Sequence, residues 1–489
     1  MGNKIHSLFK QTFIYGLGNL LNQAAAFLLI PIYTAYLLPD EYGVLQLCRV
    51  YTSIMMIILL MGMSSSMFRV YYNTYKIDER IRIRNTALSF YILIAFSFFC
   101  FFFLFKILFP SIFYSLLEIE NSVLVFQLIV LTVILEGFFS LELAVLRAEE
   151  KPLIYSIATF IRLIFYLTFC IYFIIYMRLK YVGILKAGIY SFTCGVLFLL
   201  PFTLKKYNFY ISRFFLKEIL VVGIPLAIGG LGIWVLNLSD RYMLKFLLPP
   251  DVSFHQIGIY SLGDKVSSII KFLLVTPIML SWGVLMFKFS KYENANHIFR
   301  TALNLFAVLL GSGFILISLF GEEIVRIISS NELYYNSYKV IPYLSLSKVL
   351  YGLTIVISAG IIISKKSKYI AISNLIAALI NVLLNLILIP IFGYIGAAFA
   401  SSFAFVINFF IIFYFSQKYH YFPYDLRRVL FFFIIIIIII LLANYFDVIN
   451  VFKVLFLMIF LVSIYILKLI KAHQIMNIIS SIKNKMYLK

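Results

Sequence analysis

Long apolar runs constrain the fold of this 489-residue chain more than any other feature of its sequence. Runs of about 20 apolar residues, each long enough to cross roughly 30 Å of hydrocarbon, recur from one end of the sequence to the other. Apolar residues make up 63% of the chain and charged residues 12%, which is too little charge to cover a water-soluble surface. The sequence therefore predicts an all-α integral membrane protein.

The apolar runs correspond to about 14 predicted membrane spans when hydropathy is averaged over about 19 residues. The first run follows only Lys4 and Lys10, is too long for a signal-peptide core, and is not followed by a small-residue cleavage site. We therefore interpret it as a retained span. The predicted spans are 12–38, 43–68, 86–109, 121–146, 153–177, 182–203, 217–248, 256–287, 299–320, 338–363, 369–390, 394–416, 428–446 and 449–470.

The distribution of basic residues predicts how the spans are oriented. Most of the 41 Lys and Arg fall in loops on the amino-terminal side, such as Arg80, Arg82 and Arg84. Cytoplasmic loops carry an excess of Lys and Arg, so both termini are predicted to be cytoplasmic. The formal charge of +21 is mostly this bias, and a nucleic-acid partner is not needed to explain it. The opposite loops hold seven basic residues: Lys106, Arg178, Lys180, Lys245, Arg326, Lys339 and Lys453.

Cysteine and histidine positions argue against metal sites and disulfides. The histidines lie at or beyond the ends of predicted spans, and no phosphate-binding P-loop occurs in the sequence. We therefore expect no metal, no cofactor and no direct use of ATP. The cysteines all lie within apolar runs, where buried free thiols are expected: Cys48, Cys100, Cys170 and Cys194.

An internal repeat divides the predicted spans into two sets of six. The segment "TAYLLPDEYGVLQLCRVYTSI" joins spans 1 and 2, and "MLKFLLPPDVSFHQIGIYSLGDKVSSI" joins spans 7 and 8 in the same way. After an insertion in the second copy, Gly43 aligns with Gly258. Six is an even number, so both units enter the membrane from the cytoplasm and form parallel repeats. Transporters built from such repeats bind substrate at the repeat interface and alternate access by rocking the two halves.

The repeat predicts three segments in the chain. Residues 1–210 form an amino-terminal lobe of spans 1–6, and residues 211–420 form a carboxy-terminal lobe of spans 7–12. Residues 421–489 hold spans 13 and 14 and a cytoplasmic tail, outside the repeat. The stretch "FFFIIIIIIILLA" in span 13 has no polar face, so we expect it to meet lipid rather than a transport pathway.

Charged residues within the spans are the main clue to function. Each mid-span charge costs about 2.5–3.5 kcal/mol on insertion scales, so seven cations facing lipid would cost on the order of 20 kcal/mol. They must therefore face a watery cavity or one another. Acids are fewer than cations, so pairing within the protein leaves a surplus that suggests an anionic passenger. The basic residues are Arg49, Arg162, Lys186, Arg241, Lys265, Lys271 and Lys348; the acids are Glu136, Glu142, Asp240 and Asp264.

Several of these charged residues have both a structural and a functional interpretation. Arg49 and Asp264 each lie six residues after the aligned glycine, so they are repeat counterparts of opposite sign and suit an inter-lobe gate or a shared substrate site. Arg162 lies mid-span, far from either interface, and is the best single cavity candidate. Asp240 and Arg241 are adjacent and cannot pair along one helix face, so a bridge to another helix competes with a substrate role.

For other polar residues in the spans, a structural role is an alternative to a role in a cavity. Lys245 lies near Pro249 and is expected to extend to the outer interface. Lys186 and Lys348 either do the same or face a cavity. Two amide sets at helical spacing either join helices or line a cavity: Asn19, Asn22 and Gln23 in span 1, and Asn374, Asn381 and Asn385 in span 11.

Three segments together resemble a known family. "YGLGNLLNQAAAFLLIPIYTAYLLPDEYGVLQLCRVY", "AVLRAEEKPLIYS" and "LNLSDRYMLKFLL" are similar to Wzx-type flippases for polysaccharide units such as O-antigen or capsule repeats, in the multidrug/oligosaccharidyl-lipid/polysaccharide (MOP) exporter superfamily. The resemblance covers roughly residues 10–420. It implies two six-helix lobes around a central cationic cavity in a bacterial inner membrane. Spans 13 and 14 are a departure from the shortest members.

The resemblance also implies a passenger and roles for the charged residues. The passenger would be an undecaprenyl-pyrophosphate-linked oligosaccharide, moved between leaflets by a protein that is not an enzyme. Coupling to H⁺ or Na⁺, and association with a polysaccharide polymerase and chain-length machinery, would accompany this role. The predicted cationic cavity comprises Arg49, Arg162, Arg241, Lys265, Lys271 and Lys348, with Asp240, Asp264 and Glu136 for gating or ion coupling.

Three other functions fit the sequence less well. A cation-coupled multidrug exporter shares the fold, but its drugs are typically cationic and favour an acidic cavity. In the predicted spans of this chain, basic residues outnumber acidic residues. A membrane polymerase or glycosyltransferase usually needs a large extracytoplasmic loop or an acidic metal-binding motif, and the sequence has neither. A purely structural scaffold has little use for mid-span charges.

Overall fold

The computed structural model describes residue 24 and residues 27–467, apart from 75, 120, 206 and 446–449. These residues are almost entirely helical, and no strand occurs among them. They form two compact units. The first contains the described residues up to Ser261 with Ile328–Tyr334 and Ile389–Tyr394, and the second contains Leu262–Ile327, Tyr335–Leu388 and the described residues from Ile395 onward. The repeat-based lobes 1–210 and 211–420 remain a prediction.

The helices in the first half of the chain match the predicted spans closely. Pro39, Pro110 and Pro152 each begin a helix, where the missing N–H of proline is not needed. A π-helical segment, Tyr172–Tyr176, follows the seventh helix. The helices are α1 (Ile30–Tyr36), α2 (Pro39–Leu60), α3 (Met63–Asn73), α4 (Ile77–Leu108), α5 (Pro110–Leu117), α6 (Ser122–Ala148), α7 (Pro152–Ile171), α8 (Lys180–Leu204) and α9 (Arg213–Leu247).

The second half contains a second π-helical segment, Lys271–Val275, which ends two residues before Pro277. A short 3₁₀ segment, Glu332–Val340, precedes α14. The remaining helices are α10 (Pro250–Ile270), α11 (Thr276–Phe289), α12 (Ala295–Leu319), α13 (Gly321–Ile328), α14 (Ile341–Ile357), α15 (Ala359–Ile363), α16 (Lys368–Tyr419), α17 (Leu426–Tyr445) and α18 (Asn450–Ile466).

Eleven helical segments in the described part of the chain are long and apolar enough to cross a membrane, which confirms the predicted fold class. The longest, α16, contains Gly393 at φ 57° and ψ −136°, a non-helical conformation between the predicted spans 11 and 12. A shorter apolar helix, Leu455–Ile466, coincides with predicted span 14. Most of predicted span 1 lies outside the described residues, as do Lys4, Lys10, Asn19, Asn22 and Gln23. The total of 14 spans stays a prediction.

Loops that the sequence places on the outer face contact one another within the first unit. A salt bridge of 2.5 Å joins Glu41 to Lys180, and the Gln256 amide oxygen accepts a 2.9 Å hydrogen bond from the Tyr394 N–H. The Tyr334 hydroxyl donates to the Leu37 carbonyl oxygen at 3.1 Å. These contacts join parts of five predicted outer loops, as expected if the chain crosses the membrane at each span.

The loops predicted on the opposite face also contact one another. The Arg84 guanidinium donates to the Thr203 carbonyl oxygen at 3.0 Å, and the Ser212 N–H donates to the Thr86 hydroxyl at 3.1 Å. Both contacts lie in the first unit and join the loop after span 2 to the loop after span 6. The two groups of contacts support the predicted alternation of loops, while the direction of insertion remains a prediction.

The amide residues of predicted span 11 join helices. Asn381 and Asn385 are fully buried. Asn381 donates to the Ser401 hydroxyl at 3.3 Å, and the Asn408 amide donates to the Asn374 carbonyl oxygen at 2.8 Å. These bonds connect the two halves of α16. Of the two roles that the sequence allowed for these amides, joining helices or lining a cavity, they therefore have the first.

Helix α17 is attached to α12 by an ion pair and by apolar packing. The Arg300 guanidinium donates two hydrogen bonds of 2.5 Å to the Asp425 carboxylate, and a Cβ on Gly311 would lie 2.5 Å from the Phe432 ring. Ile436 is also buried, whereas Phe431 is 60% exposed. One face of this apolar stretch therefore packs on α12, and the expectation that the stretch meets lipid rather than a transport pathway stays a prediction for its exposed face.

We expect loss of the Arg300–Asp425 pair to destabilise the second unit by about 2 kcal/mol, because Arg300→Ala removes charge-assisted hydrogen bonds. Burial alone would raise the pKa of Asp425, but hydrogen bonds from Arg300 and Asn304 outweigh it and lower that pKa below its usual value of 3.8. The pair's contribution is therefore present above pH 3.8 and is lost as pH falls below it. Thermal unfolding in detergent, measured against pH, provides the test.

The control is Arg326→Ala, which removes an exposed pair between Arg326 and Glu322 within one helix. Such a pair contributes about 0.3–0.5 kcal/mol. Equal stability losses in the two variants, or the same acid sensitivity in Asp425→Asn as in the wild type, would contradict this account.

Candidate functional site

A first group of charged residues surrounds Tyr166 in the first unit. Arg49, on α2, is partly buried. It lies beside Tyr33 and Tyr42 and hydrogen-bonds Tyr166 of α7. The hydroxyl groups of Tyr33 and Tyr166 are 3.1 Å apart. Neutral phenols satisfy the hydrogen-bonding needs of the guanidinium group but leave its positive charge uncompensated.

Arg162 extends this group along α7, one helical turn before Tyr166. Its guanidinium lies 5.0 Å from the centre of the Phe192 ring. It interacts electrostatically with both Glu136 and Tyr166. Tyr166 thus lies near two guanidinium groups. We name Arg49, Arg162, Glu136 and Tyr166 the first cationic cluster; it has two cations and one carboxylate.

A second cationic cluster lies in the second unit and comprises Asp264, Lys271 and Lys348. The Lys348 ammonium is 2.9 Å from the Asp264 carboxylate, and its side chain is largely buried. Lys271 interacts electrostatically with both residues and lies 5.6 Å from the centre of the Tyr351 ring. This cluster also has two cations and one carboxylate. Lys265, beside Asp264 in sequence, is partly buried.

The second cluster includes the start of a π-helical segment. Lys271 is the first residue of Lys271–Val275, and the Thr276 hydroxyl donates to its carbonyl oxygen at 2.9 Å. Pro277 has no N–H, so the regular helix hydrogen bonds must rearrange here. π-Helical turns are frequent at functional sites. The local geometry sets Lys271 apart from lysines on regular helix.

Asp240 and Arg241 bridge α9 to α10. The Tyr260 hydroxyl donates to the Asp240 carboxylate. Arg241 donates to the Ser261 hydroxyl at 3.1 Å and to the Asn237 carbonyl oxygen at 3.0 Å. Asp240 is 1% exposed and Arg241 is 3% exposed. In this conformation the two side chains form a protein bridge, the alternative that the sequence had left open.

Lys245 also lies inside the protein rather than at an interface. Its side chain is 1% exposed and its ammonium is 2.5 Å from the Glu118 carboxylate. The ammonium also lies 5.0 Å from the Phe254 ring centre. The prediction that Lys245 extends to the outer interface was wrong, because a carboxylate from another predicted outer loop meets it.

The two glycines aligned in the repeat mark a close helix crossing. A Cβ on Gly43 would lie 2.0 Å from the Phe254 carbonyl oxygen, and one on Gly258 would lie 2.0 Å from the Pro39 carbonyl oxygen. Phe254 and Pro39 each lie four residues before a crossing glycine, so the contact is reciprocal. All four residues belong to the first unit. Sequence reasoning aligned these glycines but missed that they touch the opposite backbone.

A buried carboxylate near the opposite face was likewise not predicted as part of a site. Glu142 is 2% exposed. It interacts electrostatically with Arg84 and hydrogen-bonds Thr203. Arg84 is 3% exposed, although the sequence placed it in a loop. These residues hold α4, α6 and α8 together.

The described residues show no arrangement suited to a metal ion. No group of three or more His, Cys, Asp or Glu side chains that could hold a metal occurs among them. The cysteines there are free. The chemistry these residues offer is electrostatic, with cations held within apolar helices.

The described residues thus form a helical membrane protein with positively charged clusters among its spans. Residues 8–283 match the family of polysaccharide biosynthesis proteins. The chain belongs to this family. No curated protein matches the chain.

Solved structures with the same fold belong to flippases and transporters. The lipid II flippase MurJ, in an inward closed conformation, has a TM-score of 0.70 and 15% identity, covering 98% of this chain and 100% of that chain. An inward-facing multidrug resistance MATE transporter of the MOP superfamily has a TM-score of 0.66 and 14% identity, covering 82% and 94%. A MOP superfamily transporter from Pyrococcus furiosus has a TM-score of 0.54 and 14% identity, covering 84% and 95%. The chain therefore has the MOP superfamily fold.

Proposed function

We propose that the protein moves undecaprenyl-pyrophosphate-linked oligosaccharide units from the cytoplasmic to the outer leaflet of a bacterial inner membrane. The units would serve O-antigen, capsule or exopolysaccharide synthesis. The observation that carries the proposal is the surplus of cations in both cationic clusters. The sequence family supports the polysaccharide context.

The surplus suits a pyrophosphate or an acidic sugar. Each cluster holds two cations against one carboxylate, so neither neutralises itself. A guanidinium group matches paired phosphate or carboxylate oxygens with its fork of donors. In the proposal the residues that bind anionic groups of the passenger are Arg49 and Arg162 in the first unit and, separately, Lys265, Lys271 and Lys348 in the second unit. Arg241 joins them only if its bridge to α10 opens.

Alternating access is the proposed mechanism. The reciprocal glycine crossing and the contacts among predicted outer loops favour a state closed at that face. Opening would separate α2 from α10 at Gly43 and Gly258, and a close crossing without side chains is easy to make and break. Asp264 pairs with Lys348 here, and its proposed pairing with Arg49 in another state remains a prediction.

Coupling to H⁺ or Na⁺ completes the proposal. Glu136, Asp240 and Asp264 are the candidate carriers, because an acid within a span can bind a cation or change its protonation. A polysaccharide polymerase and its chain-length machinery are the proposed partners, since flipped units must then be joined. The protein itself is proposed to be a transporter and not an enzyme.

The decisive experiment is flipping in proteoliposomes with two probes. We expect protein-dependent movement of a fluorescent undecaprenyl-pyrophosphate oligosaccharide, and no protein-dependent movement of ethidium, a typical cationic drug. Collapse of proton and sodium gradients should slow the flipping. Ethidium transport without lipid flipping would favour a multidrug exporter and overturn the proposal.

A further inference from the structure

Glu142 is a buried carboxyl group that the proposed transport site does not use. It lies on α6, near the predicted cytoplasmic face, and is 2% exposed. Its Oε1 atom has no hydrogen-bond partner within the described part of the chain. A buried polar atom without a partner costs about 1–3 kcal/mol, and more when the group is charged. The surroundings of Glu142 therefore suit a neutral, protonated carboxyl group better than a carboxylate.

The hydrogen bonds of Thr203 agree with a protonated carboxyl group. The Thr203 hydroxyl donates to the Leu199 carbonyl oxygen at 3.1 Å, and a carbonyl oxygen can only accept. A hydroxyl group has one proton to donate. Its hydrogen bond with Glu142 therefore requires that the carboxyl group carries a proton, which Glu142 donates and Thr203 accepts.

The positive charge of Arg84 is already engaged by other groups. Its guanidinium is 3.7 Å from the Glu149 carboxylate, and it donates to the Phe202 and Thr203 carbonyl oxygens at 3.3 Å and 3.0 Å. The Arg84 Nε–H, however, has no partner among the residues that the structure describes. Arg84 and Glu142 interact electrostatically, so an unused donor lies near an unused acceptor, the Oε1 of Glu142.

The charges bordering this cluster are engaged with other groups. Lys151 pairs with Glu149. Arg80 lies 5.0 Å from the centre of the Tyr71 ring, and its Nε–H donates to the Thr74 carbonyl oxygen at 2.8 Å. The groups that act on the Glu142 carboxyl itself are Arg84, Thr203 and Glu149.

Arg84 also precedes the residues of α4 that hold the connection between the two predicted repeats. The Ser212 N–H donates to the Thr86 hydroxyl at 3.1 Å, and the Tyr210 N–H donates to the Ser89 hydroxyl at 3.2 Å. Both donors lie between α8 and α9. A change in the contacts of Arg84 would therefore reach the start of α9.

We propose that Glu142 is a proton-binding site that couples protonation to movement at the predicted cytoplasmic face. In this conformation the carboxyl group holds the proton. Its release to water leaves a carboxylate, and the Arg84 Nε–H then pairs with Oε1. The guanidinium group turns away from the α8 carbonyl oxygens, and the attachment of α4 to α8 weakens. The use of the proton in transport rests on the proposed function, whereas the proton site itself does not.

Infrared spectroscopy of the full-length protein in detergent tests the proton site without transport. At about pH 6, an exposed Glu with its ordinary pKa of about 4.3 is ionised. At this pH we expect wild-type protein to show a carbonyl stretching band of a protonated carboxyl group that Glu142→Gln lacks. Thr203→Val should shift the frequency of this band, because the acceptor of the proton is lost. Glu218→Gln, at an exposed position of α9, is the control and should leave the band unchanged.

Flipping in proteoliposomes tests the link to transport. Glu142→Gln resembles the protonated group, so it should fold normally and lose the acceleration of flipping by a proton gradient. Identical infrared spectra of wild-type protein and Glu142→Gln overturn the proton site, and a normal gradient response in Glu142→Gln overturns its role in transport. If the band is present but wild-type protein flips no lipid-linked oligosaccharide, the proposed function fails while the proton site stands. Thr203→Val keeps the carboxyl group, so its band shift decides the matter if Glu142→Gln folds poorly.

Discussion

Gly43→Ala and Gly258→Ala are each expected to stop surface polysaccharide export while the protein stays in the membrane. Each added methyl group would lie 2.0 Å from a backbone carbonyl oxygen of the opposite helix. Backbone cannot rotate out of the way, so α2 and α10 must separate. Overpacking of this kind costs about 1–3 kcal/mol, and each 1.4 kcal/mol lowers the population of the state closed at the predicted outer face about tenfold.

The control for the glycine variants is Gly188→Ala, since nothing lies within 4 Å of a Cβ at Gly188. Export would be measured in a flippase-null strain, with immunoblots for protein level. The two glycines share one crossing, so the double variant should be scarcely worse than either single variant. Strictly additive losses, or normal export in Gly43→Ala, would show that the crossing has no part in the transport cycle.

The sequence predicted the helices well because lipid leaves the backbone little choice. Inside hydrocarbon every N–H and C=O must be paired locally, so each long apolar run becomes a helix. The ends of the apolar runs also predicted where the chain turns: Gly393 interrupts α16 at the predicted boundary between spans 11 and 12. The repeat also gave the correct counterparts, Gly43 and Gly258, because the same local requirement applies to both copies.

The partners of the charged residues were much harder to predict. The sequence showed that mid-span charges need compensation, but not that Tyr166 of α7 would meet Arg49 of α2. Lys245 was misplaced because distance to an interface is a local property, whereas its pairing with Glu118 depends on a separate loop. Such contacts arise from tertiary packing between distant segments, and a single sequence carries no direct signal for them.

Arg162→Ala and Arg241→Ala are expected to fail in different ways. Arg162 lies in the first cationic cluster, and Glu136, the acid beside it there, is only partly buried. The protein should remain at normal levels while flipping falls about 30-fold or more, because losing one charged contact to a buried anion costs about 2–4 kcal/mol. Arg162→Lys should recover part of the rate, since it keeps the charge but loses the paired donors.

Arg241→Ala should instead reduce the amount of folded protein. It removes the donor to the Ser261 hydroxyl and to the Asn237 carbonyl oxygen, at a position that is 3% exposed. Breaking such a buried arrangement costs about 3–5 kcal/mol, a large fraction of the stability of a typical protein.

Arg178→Ala, at an exposed position, is the control for both variants. Immunoblots and proteoliposome flipping separate the two kinds of failure. Full flipping by well-expressed Arg162→Ala would remove it from the substrate path. Well-folded, transport-defective Arg241→Ala would instead show that the bridge opens and that Arg241 reaches the passenger.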